Sequence, residues 1–359
     1  MDLTVLNKNF ESVAILDALI STIWTDRFVG YGDFEIYTPV SRDLMSVLFN
    51  KGYYLINPKS EHVMIIEGVE ISTDVEDGSK LIITGRSLES ILERRVVWDQ
   101  TILSGNFQNG IQRLLTDAII NPSDSNRRIS NFIFEASTDS AITGLSVDTQ
   151  FTGDTLLDAI DSLCTEANIG YKITLNSSNQ FVFKLYSGED ISYDQGAKPY
   201  VVFSPSFENF VNGNYLENDS TYRSVALIVG EDQAQNRKKQ TVYANASVDV
   251  SGLDRRELFV DARDISYRKE DGTDMTDAEY NVLLQGRGNE KLAENIVTKS
   301  FEGEVDFEAM YTYGDDFYMG DIVQIVNEFG IEAKGRITEV VFSETSDSIT
   351  TVPTFTIVS

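Results

Sequence analysis

Apolar and polar residues alternate along much of the chain, which is the pattern of half-buried β-strands. The strictest case is SFEGEVDFEAMYTY, residues 300–313, where every odd position from Phe301 onward is apolar, aromatic or glycine. The even positions carry a row of four carboxylates: Glu302, Glu304, Asp306 and Glu308. This stretch therefore predicts a strand with one face in a core and an acidic row along the other face.

Alternating runs fill the first hundred residues, so this part is predicted to be mainly strands. The runs are SVAILDA, TIWTDRF, GDFEIYTP, YYLIN, HVMIIEGVEIS and KLIITGR. SRDLMSVLF predicts a short helix among them, with Ser41 as its N-cap. Asp77-Gly78 predicts a tight hairpin turn between the last two strands. SLESILERRV then predicts a helix before Trp98.

The segment from about residue 100 to 200 has an α+β pattern. NFQNGIQRLLTDAII predicts a helix that ends at Asn121-Pro122. DTLLDAIDSLCTEANIG predicts a second helix, capped by Asp154 and ended by Gly170, with Cys164 on its apolar stripe. YKITL and QFVFKLY predict a hairpin after it.

Two further strands, PYVVFS and SVALIVG, are followed by a polar insertion and a long helix. Thr276 and Glu279 form the capping-box pattern at the start of that helix. The acidic-row strand and three more strand candidates complete the chain.

The strand pattern near residue 52 recurs near residue 320. GYYLIN, HVMIIEGVEIS and KLIITGRS correspond to GDIVQIV, GRITEVVFS and TFTIVS. Each set has a strand led by glycine, a longer strand that contains glycine and ends in serine, and a final strand. Two readings fit: ordinary meanders that look alike, or two related small barrels, the second interrupted by an insertion.

Composition narrows the class of protein. The chain has 359 residues, enough for two or three domains, and 57 acidic against 29 basic residues give a net charge of −28. Such a surface repels nucleic acid and anionic membranes, so specific nucleic-acid binding is not expected. One cysteine excludes an internal disulfide. The N-terminus has no signal-peptide pattern and no run reaches the ~20 apolar residues of a membrane span, so folding in a cytoplasm is expected.

The acidic row does not fit a glycosidase pair or a calcium site. Neighbours on one strand face lie ~6.8 Å apart, close to the ~6.5–9.5 Å of inverting glycosidases, but solvated carboxylates lack the apolar pocket that raises the pKa of a general acid. A flat row also does not surround a calcium ion. The acidic loop of Asp271, Asp274 and Asp277 lacks the glycine expected at the sixth place of an EF-hand, and it is predicted to be a turn before the helix cap.

Other candidate groups are predicted to be structural. His62 is the only histidine, no GxSxG motif is present, and a histidine at a sheet surface is expected. Cys164 is expected in a core. GRGNE, residues 286–290, lacks the dinucleotide-binding spacing, and RKK, residues 237–239, is expected to be solvated. The sequence thus predicts no catalytic residue, no metal site and no cofactor.

Five stretches in order carry a resemblance to a known family. They are IWTDRFVGYGDFEIYTP, ITGRSLESILERRVVWDQT, YVVFSPSFENFVNGNY, SGLDRRELFVDARD and YGDDFYMGDIVQIVNEFGIEAKGRITEV. Together they resemble the tail-hub (baseplate-hub) proteins of siphophages and related prophages, the hub-like N-terminal region of tail-associated proteins. The resemblance runs from about residue 3 to 356.

The resemblance implies a mainly β fold with α+β insertions: two small tube-like β-barrels plus two peripheral α+β domains. The boundaries expected are 1–97 for the first barrel and 98–200 for an α+β domain. The second barrel is expected in 201–230 and 300–359, and an insertion with a long helix in 231–299.

The resemblance also implies a structural, non-enzymatic role in the virion, at the tail tip. A homotrimer would present six barrels as a pseudo-sixfold ring that closes the tail tube. Expected partners are the distal tail, tail tube and tape-measure proteins, with receptor-binding or lytic activity in other chains. The acidic row would line the lumen and repel passing DNA, or else face bulk solvent. Alternatives are a hub of a contractile tail or tailocin and, from another class, a cell-wall glycan hydrolase.

Overall fold

The computed structural model describes residues 2–50, 52–74, 78–231, 237–245, 250–305, 310–345 and 348–358, and only the backbone of residues 212, 304 and 305. The strands are β1 (Leu3–Leu6), β2 (Ser12–Leu16), β3 (Ser21–Arg27), β4 (Asp33–Pro39), β5 (Tyr54–Ile56), β6 (Val63–Asp74), β7 (Gly78–Ser87), β8 (Thr101–Asn106), β9 (Phe132–Glu135), β10 (Ser146–Phe151), β11 (Gly170–Leu175), β12 (Phe181–Tyr186), β13 (Val202–Phe203), β14 (Phe210–Asn218), β15 (Val225–Val229), β16 (Lys239–Tyr243), β17 (Glu257–Asp261), β18 (Thr298–Val305), β19 (Ile322–Val326), β20 (Glu332–Thr345) and β21 (Ile349–Val358). The α-helices are α1 (Arg42–Leu48), α2 (Phe107–Leu115), α3 (Ser140–Thr143), α4 (Leu156–Ala167) and α5 (Asp277–Ala293).

Most helix ends follow the predicted caps. The Ser41 side chain caps α1, and Thr276 with Glu279 forms a capping box on α5. α4 differs from the prediction at both ends, because Thr155 rather than Asp154 accepts from the backbone of its first turn, and Asn168 ends it in the left-handed conformation. Gly170 instead begins β11. Leu88–Arg94, predicted as a helix, is a 3-10 helix.

One large sheet dominates the molecule and confirms the mainly β class. Within the described residues, thirteen strands form it, in the order β14-β18-β21-β20-β3-β4-β7-β6-β5-β1-β2, with β19 also beside β20 and β13 beside β19. One apolar cluster lies under it and takes side chains from both ends of the chain, from Leu3 to Phe355.

The sheet contains the same five-strand unit twice. The first unit is β3-β4-β7-β6-β5, and the second is β14-β18-β21-β20-β19, with antiparallel pairing throughout both. Only the next neighbour differs, since β1 joins β5 antiparallel and β13 joins β19 parallel. The internal repeat seen in the sequence therefore extends to strand order.

Hydrogen bonds at the start of each repeat are the same. The N–H of Gly52 donates to the Ile66 carbonyl at 3.0 Å, and the N–H of Gly320 donates to the Ile337 carbonyl at 2.9 Å. Both glycines have positive φ, +79° and +90°, a conformation that L side chains rarely adopt. This common requirement explains why each repeat is led by glycine.

Each long hairpin also has one irregularity at the same place. The register of β6 against β7 shifts between Ile66 and Gly68, and that of β20 against β21 shifts between Ile337 and Glu339. Because the shift falls at the same distance from both hairpin turns, residues of β6 and β20 can be matched one to one. Asp77 of the predicted turn lies outside the described residues; Gly78 begins β7.

Two excursions leave the sheet. The first, after β7, holds α2–α4 and β8–β12 around a core of their own. The second leaves between β14 and β18 and holds α5 against the small sheet β16-β15-β17. β15, which the range 201–230 had placed in the second barrel, lies in this small sheet, because its neighbours are β16 and β17.

Candidate assembly surface

The two five-strand units meet along one seam, where β3 pairs antiparallel with the second half of β20. The register runs from Ser21 opposite Thr345 to Arg27 opposite Glu339. Arg27 also donates to the Glu339 carboxylate at 2.8 Å. The two units therefore contribute different strands to the seam. The first unit contributes β3, and the second unit contributes the second half of β20.

Matched aromatic pairs lie under the outermost strand of each unit. Trp24 on β3 packs on Phe34 of β4 with ring centroids 5.9 Å apart, and Tyr215 on β14 packs on Phe301 of β18 at 4.9 Å. Both pairs stand on directly opposite residues of their strands. Trp24 is fully buried while Tyr215 is only half-buried, because β3 has β20 on its other side.

The described part of the acidic row follows the predicted alternation. In β18, Phe301 is buried and Glu302 is exposed, with Asn214 and Thr354 as its strand neighbours. Glu304 lies in the strand opposite Val211. The side chain of Glu304 and all of Asp306 and Glu308 lie outside the described residues, so their direction stays a prediction.

Glu302 shares the outer face of the sheet with acids of the first unit. Glu35 occupies the equivalent position on β4, next to the buried Phe34, just as Glu302 follows the buried Phe301. Successive side chains of a strand point to opposite faces, so both carboxylates lie on the face away from the core. The polar face of the repeated sheet is thus acidic at matched positions.

The prediction of a surface histidine is wrong, because His62 is buried at 4 % exposure. Its Nδ1 lies 3.2 Å from Glu89 Oε1, and Glu89 is itself fully buried in the 3-10 helix. Burial alone would lower the pKa of His62, but the charges of Glu89 and Asp26 raise it to about 9. Burial opposes ionisation of Glu89, yet the His62 charge holds the pKa of that carboxyl below its ordinary value.

This buried ion pair joins three parts of the chain. Glu89 also accepts from the backbone N–H of Ile173 on β11, at 2.6 Å. Asp26, on the seam strand β3, accepts from Trp24 at 3.0 Å and from Ser60. Neither Glu89 nor Asp26 is a predicted site residue. A signal for Glu89 was available, since SLESIL places one glutamate among apolar helix positions.

A cavity of about 620 Å³ opens beside His62. Its lining includes Lys172, which pairs with Glu61, and Asp321, which accepts from the backbone N–H of Glu189 at 2.7 Å. In the described ranges, no group of three or more His, Cys, Asp or Glu side chains could hold a metal ion. The contacts of Lys172 with Glu61 and of Asp321 with Glu189 each join separate segments of the chain, which suits a structural role.

The first two residues of the basic cluster RKK form ion pairs, and the Lys238 side chain is at the same time 43 % exposed to solvent. Arg237 lies 3.1 Å from Asp261, and Lys238 donates to Asp277 at 2.8 Å. These ion pairs hold the loop before β16 against β17 and the first turn of α5.

The two remaining motifs have structural explanations. A Cβ on Gly286 would lie 1.9 Å from the Asp148 carbonyl oxygen, so the glycine lets α5 approach the backbone of β10. In the acidic loop, Asp271 accepts from the backbone and hydroxyl of Thr273, which makes the loop a turn before the helix cap. Cys164 is fully buried, as predicted.

Comparison with known proteins decides the family. A family model for the Siphovirus ReqiPepy6 Gp37-like protein matches residues 2–355. The chain belongs to this siphovirus tail protein family. The resemblance to siphophage tail proteins is confirmed by this match over nearly the whole chain. No curated protein matches the sequence.

Several solved tail proteins share the fold of this chain. A tail protein from Neisseria meningitidis MC58 is 12 % identical, with 99 % of this chain and 95 % of that chain covered and a TM-score of 0.58. The prophage tail protein gp18 from Listeria monocytogenes EGD-e is 13 % identical, with 99 % and 94 % covered and a TM-score of 0.54. The 43 kDa tail protein of prophage MuSo2 from Shewanella oneidensis is 12 % identical, with 99 % and 98 % covered and a TM-score of 0.58. At these identities the likeness shows the fold.

The family match identifies the protein as a phage tail component.

None of the described helices combines the length and apolar character of a membrane span.

Proposed function

We propose that this tail protein is the hub of the tail tip, in which three copies form a ring that closes the tail tube. The observation that carries the proposal is the repeated five-strand unit, two copies of which stand side by side in one sheet. Two similar units per chain give a threefold assembly six similar positions, which suits a sixfold tube. Each unit would be one of the two small barrels expected from the sequence.

The hub would act by assembly and without turnover. Its partners would be the distal tail, tail tube and tape-measure proteins, and lytic or receptor-binding parts would belong to other chains. The groups of this molecule that are unusual in charge, such as His62 and Glu89, are buried in joints between segments. That placement favours a structural role for them.

The acidic face of the sheet would line the bore. Glu302, which is exposed, and Glu35, which is half-buried, occupy matched positions on the outer face, so a ring of six units would repeat the negative charge around its axis. DNA passing through such a bore is repelled by like charge and does not adhere. Glu304, Asp306 and Glu308 would extend the same row.

Imaging of tail tips along their axis tests the hub directly. We expect three copies of the chain, six related lobes around a bore and the acidic row on the inner wall. A copy number other than three, or a position around the outside of the tube, would contradict the hub. An outer position of the four acids would contradict the lumen alone. Purified protein is expected to leave peptidoglycan intact; turnover abolished by replacing one carboxylate would contradict the non-enzymatic role.

A further inference from the structure

Among the strand edges that lack a neighbour in the described residues, two belong to the five-strand units. β14 pairs with β18 alone and ends the large sheet. Residues 68–73 of β6 pair with β7 on one side, while β5 covers only the first part of β6. Unpaired edges present rows of N–H and C=O groups that readily pair with another chain.

The internal repeat shows which strands belong together. β14 holds in the second unit the place that β3 holds in the first, and β6 holds in the first unit the place that β20 holds in the second. β3 and β20 pair with each other inside the chain. These two edges are therefore the counterparts of the two strands that form the seam.

We propose that β14 of one copy pairs antiparallel with residues 68–73 of β6 in a second copy, and so repeats the internal seam between chains. The proposal rests on the ring of the proposed function and names the edges that close it. The two edges are different surfaces, so the contact is head to tail and generates a ring when the rotation closes.

The matched residues predict the register of this contact. In the internal seam, Trp24 lies opposite Phe342. Tyr215 is the counterpart of Trp24, because each lies opposite the buried phenylalanine of the neighbouring strand. Ile71 is the counterpart of Phe342 by its distance from the bulge. Ile71 of one copy is therefore expected opposite Tyr215 of the next.

The exposure of these side chains fits a missing neighbour. Phe342 is 5 % exposed inside the internal seam, whereas its counterpart Ile71 is 46 % exposed. Leu216 on β14 is 43 % exposed, whereas Thr25, its counterpart on β3, is 4 % exposed. A second copy seated on these edges would cover the exposed apolar side chains as the internal seam covers their counterparts.

A disulfide across the predicted contact tests the register. The N–H of Phe28 donates to the Thr338 carbonyl at 2.9 Å, so these two residues form a hydrogen-bonded pair of the seam. Hydrogen-bonded and non-hydrogen-bonded pairs alternate along an antiparallel ladder, which makes Ile23 and Ser343 a non-hydrogen-bonded pair. Side chains of such pairs are close, ~4.5–5.5 Å between Cβ atoms, which suits a disulfide. The counterparts of this pair are Asn214 and Ser72, which gives the variant S72C/N214C.

The matched control is E70C/N214C. Glu70 lies two residues from Ser72 on the same face of β6, so residue 70 is expected ~7–8 Å from residue 214 of the next copy. Cys164 is fully buried and does not compete. Full-length variants, alone and in tail particles, are oxidised and run on non-reducing gels beside a mass measurement. We expect covalent oligomers from S72C/N214C at least fivefold above those from the control, and none from either single cysteine.

The outcomes separate the seam from the ring. If the protein is trimeric by mass but S72C/N214C links no better than E70C/N214C, the proposed seam is wrong and the ring stands. If the protein neither trimerises in solution nor occurs as three copies in the tail, the ring fails and the seam fails with it. Linkage in the predicted register supports both.

Discussion

Raising the pH from 6.5 to 9 is expected to destabilise the protein through deprotonation of His62. The folded pKa of His62 is about 9, above its ordinary 6.5, so folding favours the protonated form. The stability that this contributes is fully present below pH 6.5 and is lost as the pH rises through 9. Each tenfold difference in proton affinity is worth about 1.4 kcal/mol, so the loss amounts to about 3 kcal/mol.

The assay is urea unfolding at half-unit steps between pH 6.5 and 9, followed by tryptophan fluorescence. Trp24 is a suitable probe because its indole N–H donates to Asp26, beside the ion pair. The matched variant is His62→Asn, which keeps a donor for Glu89 but does not titrate. The difference between wild type and variant removes the contribution of Cys164, whose buried thiol has a raised pKa.

The wild type is expected to lose about 3 kcal/mol relative to His62→Asn over this range, most of it above pH 7. Equal pH dependence of the two proteins would refute the protonated, ion-paired state of His62. A wild type that gains stability with pH would show that the sign of the pKa shift is wrong.

Three substitutions test the packing of the large sheet and of the second excursion. Gly286→Ala is expected to destabilise by about 1–3 kcal/mol, because its Cβ would overlap the Asp148 carbonyl; Gln285→Ala, on the exposed side of the same helix, should change the unfolding midpoint little. Phe301→Ala removes a fully buried ring under β14 and should cost about 3–5 kcal/mol by urea unfolding; an effect under 1 kcal/mol would contradict its place in the core. Thr276→Ala breaks the capping box and should cost about 1 kcal/mol, with Thr276→Ser close to wild type.

Sequence alone determined the features that depend on neighbouring residues. Alternation predicted the strands, including the buried Phe301 beside the exposed Glu302, because strand period is a local property. Gly52 and Gly320 marked the repeat because both starts need a positive φ. The Thr276 capping box was readable for the same reason, since all its partners lie within one helical turn.

Only the tertiary structure decided which distant segments meet. The seam pairs Arg27 with Glu339, more than 300 residues apart, and no local pattern selects that partner. His62 was expected at a surface, but it is buried beside Glu89. Glu89 lies on a separate 3-10 helix, and nothing in the sequence around His62 indicates that this helix packs there. Strand partners and buried charge pairs are chosen by packing over the whole chain, and a local sequence pattern does not contain that information.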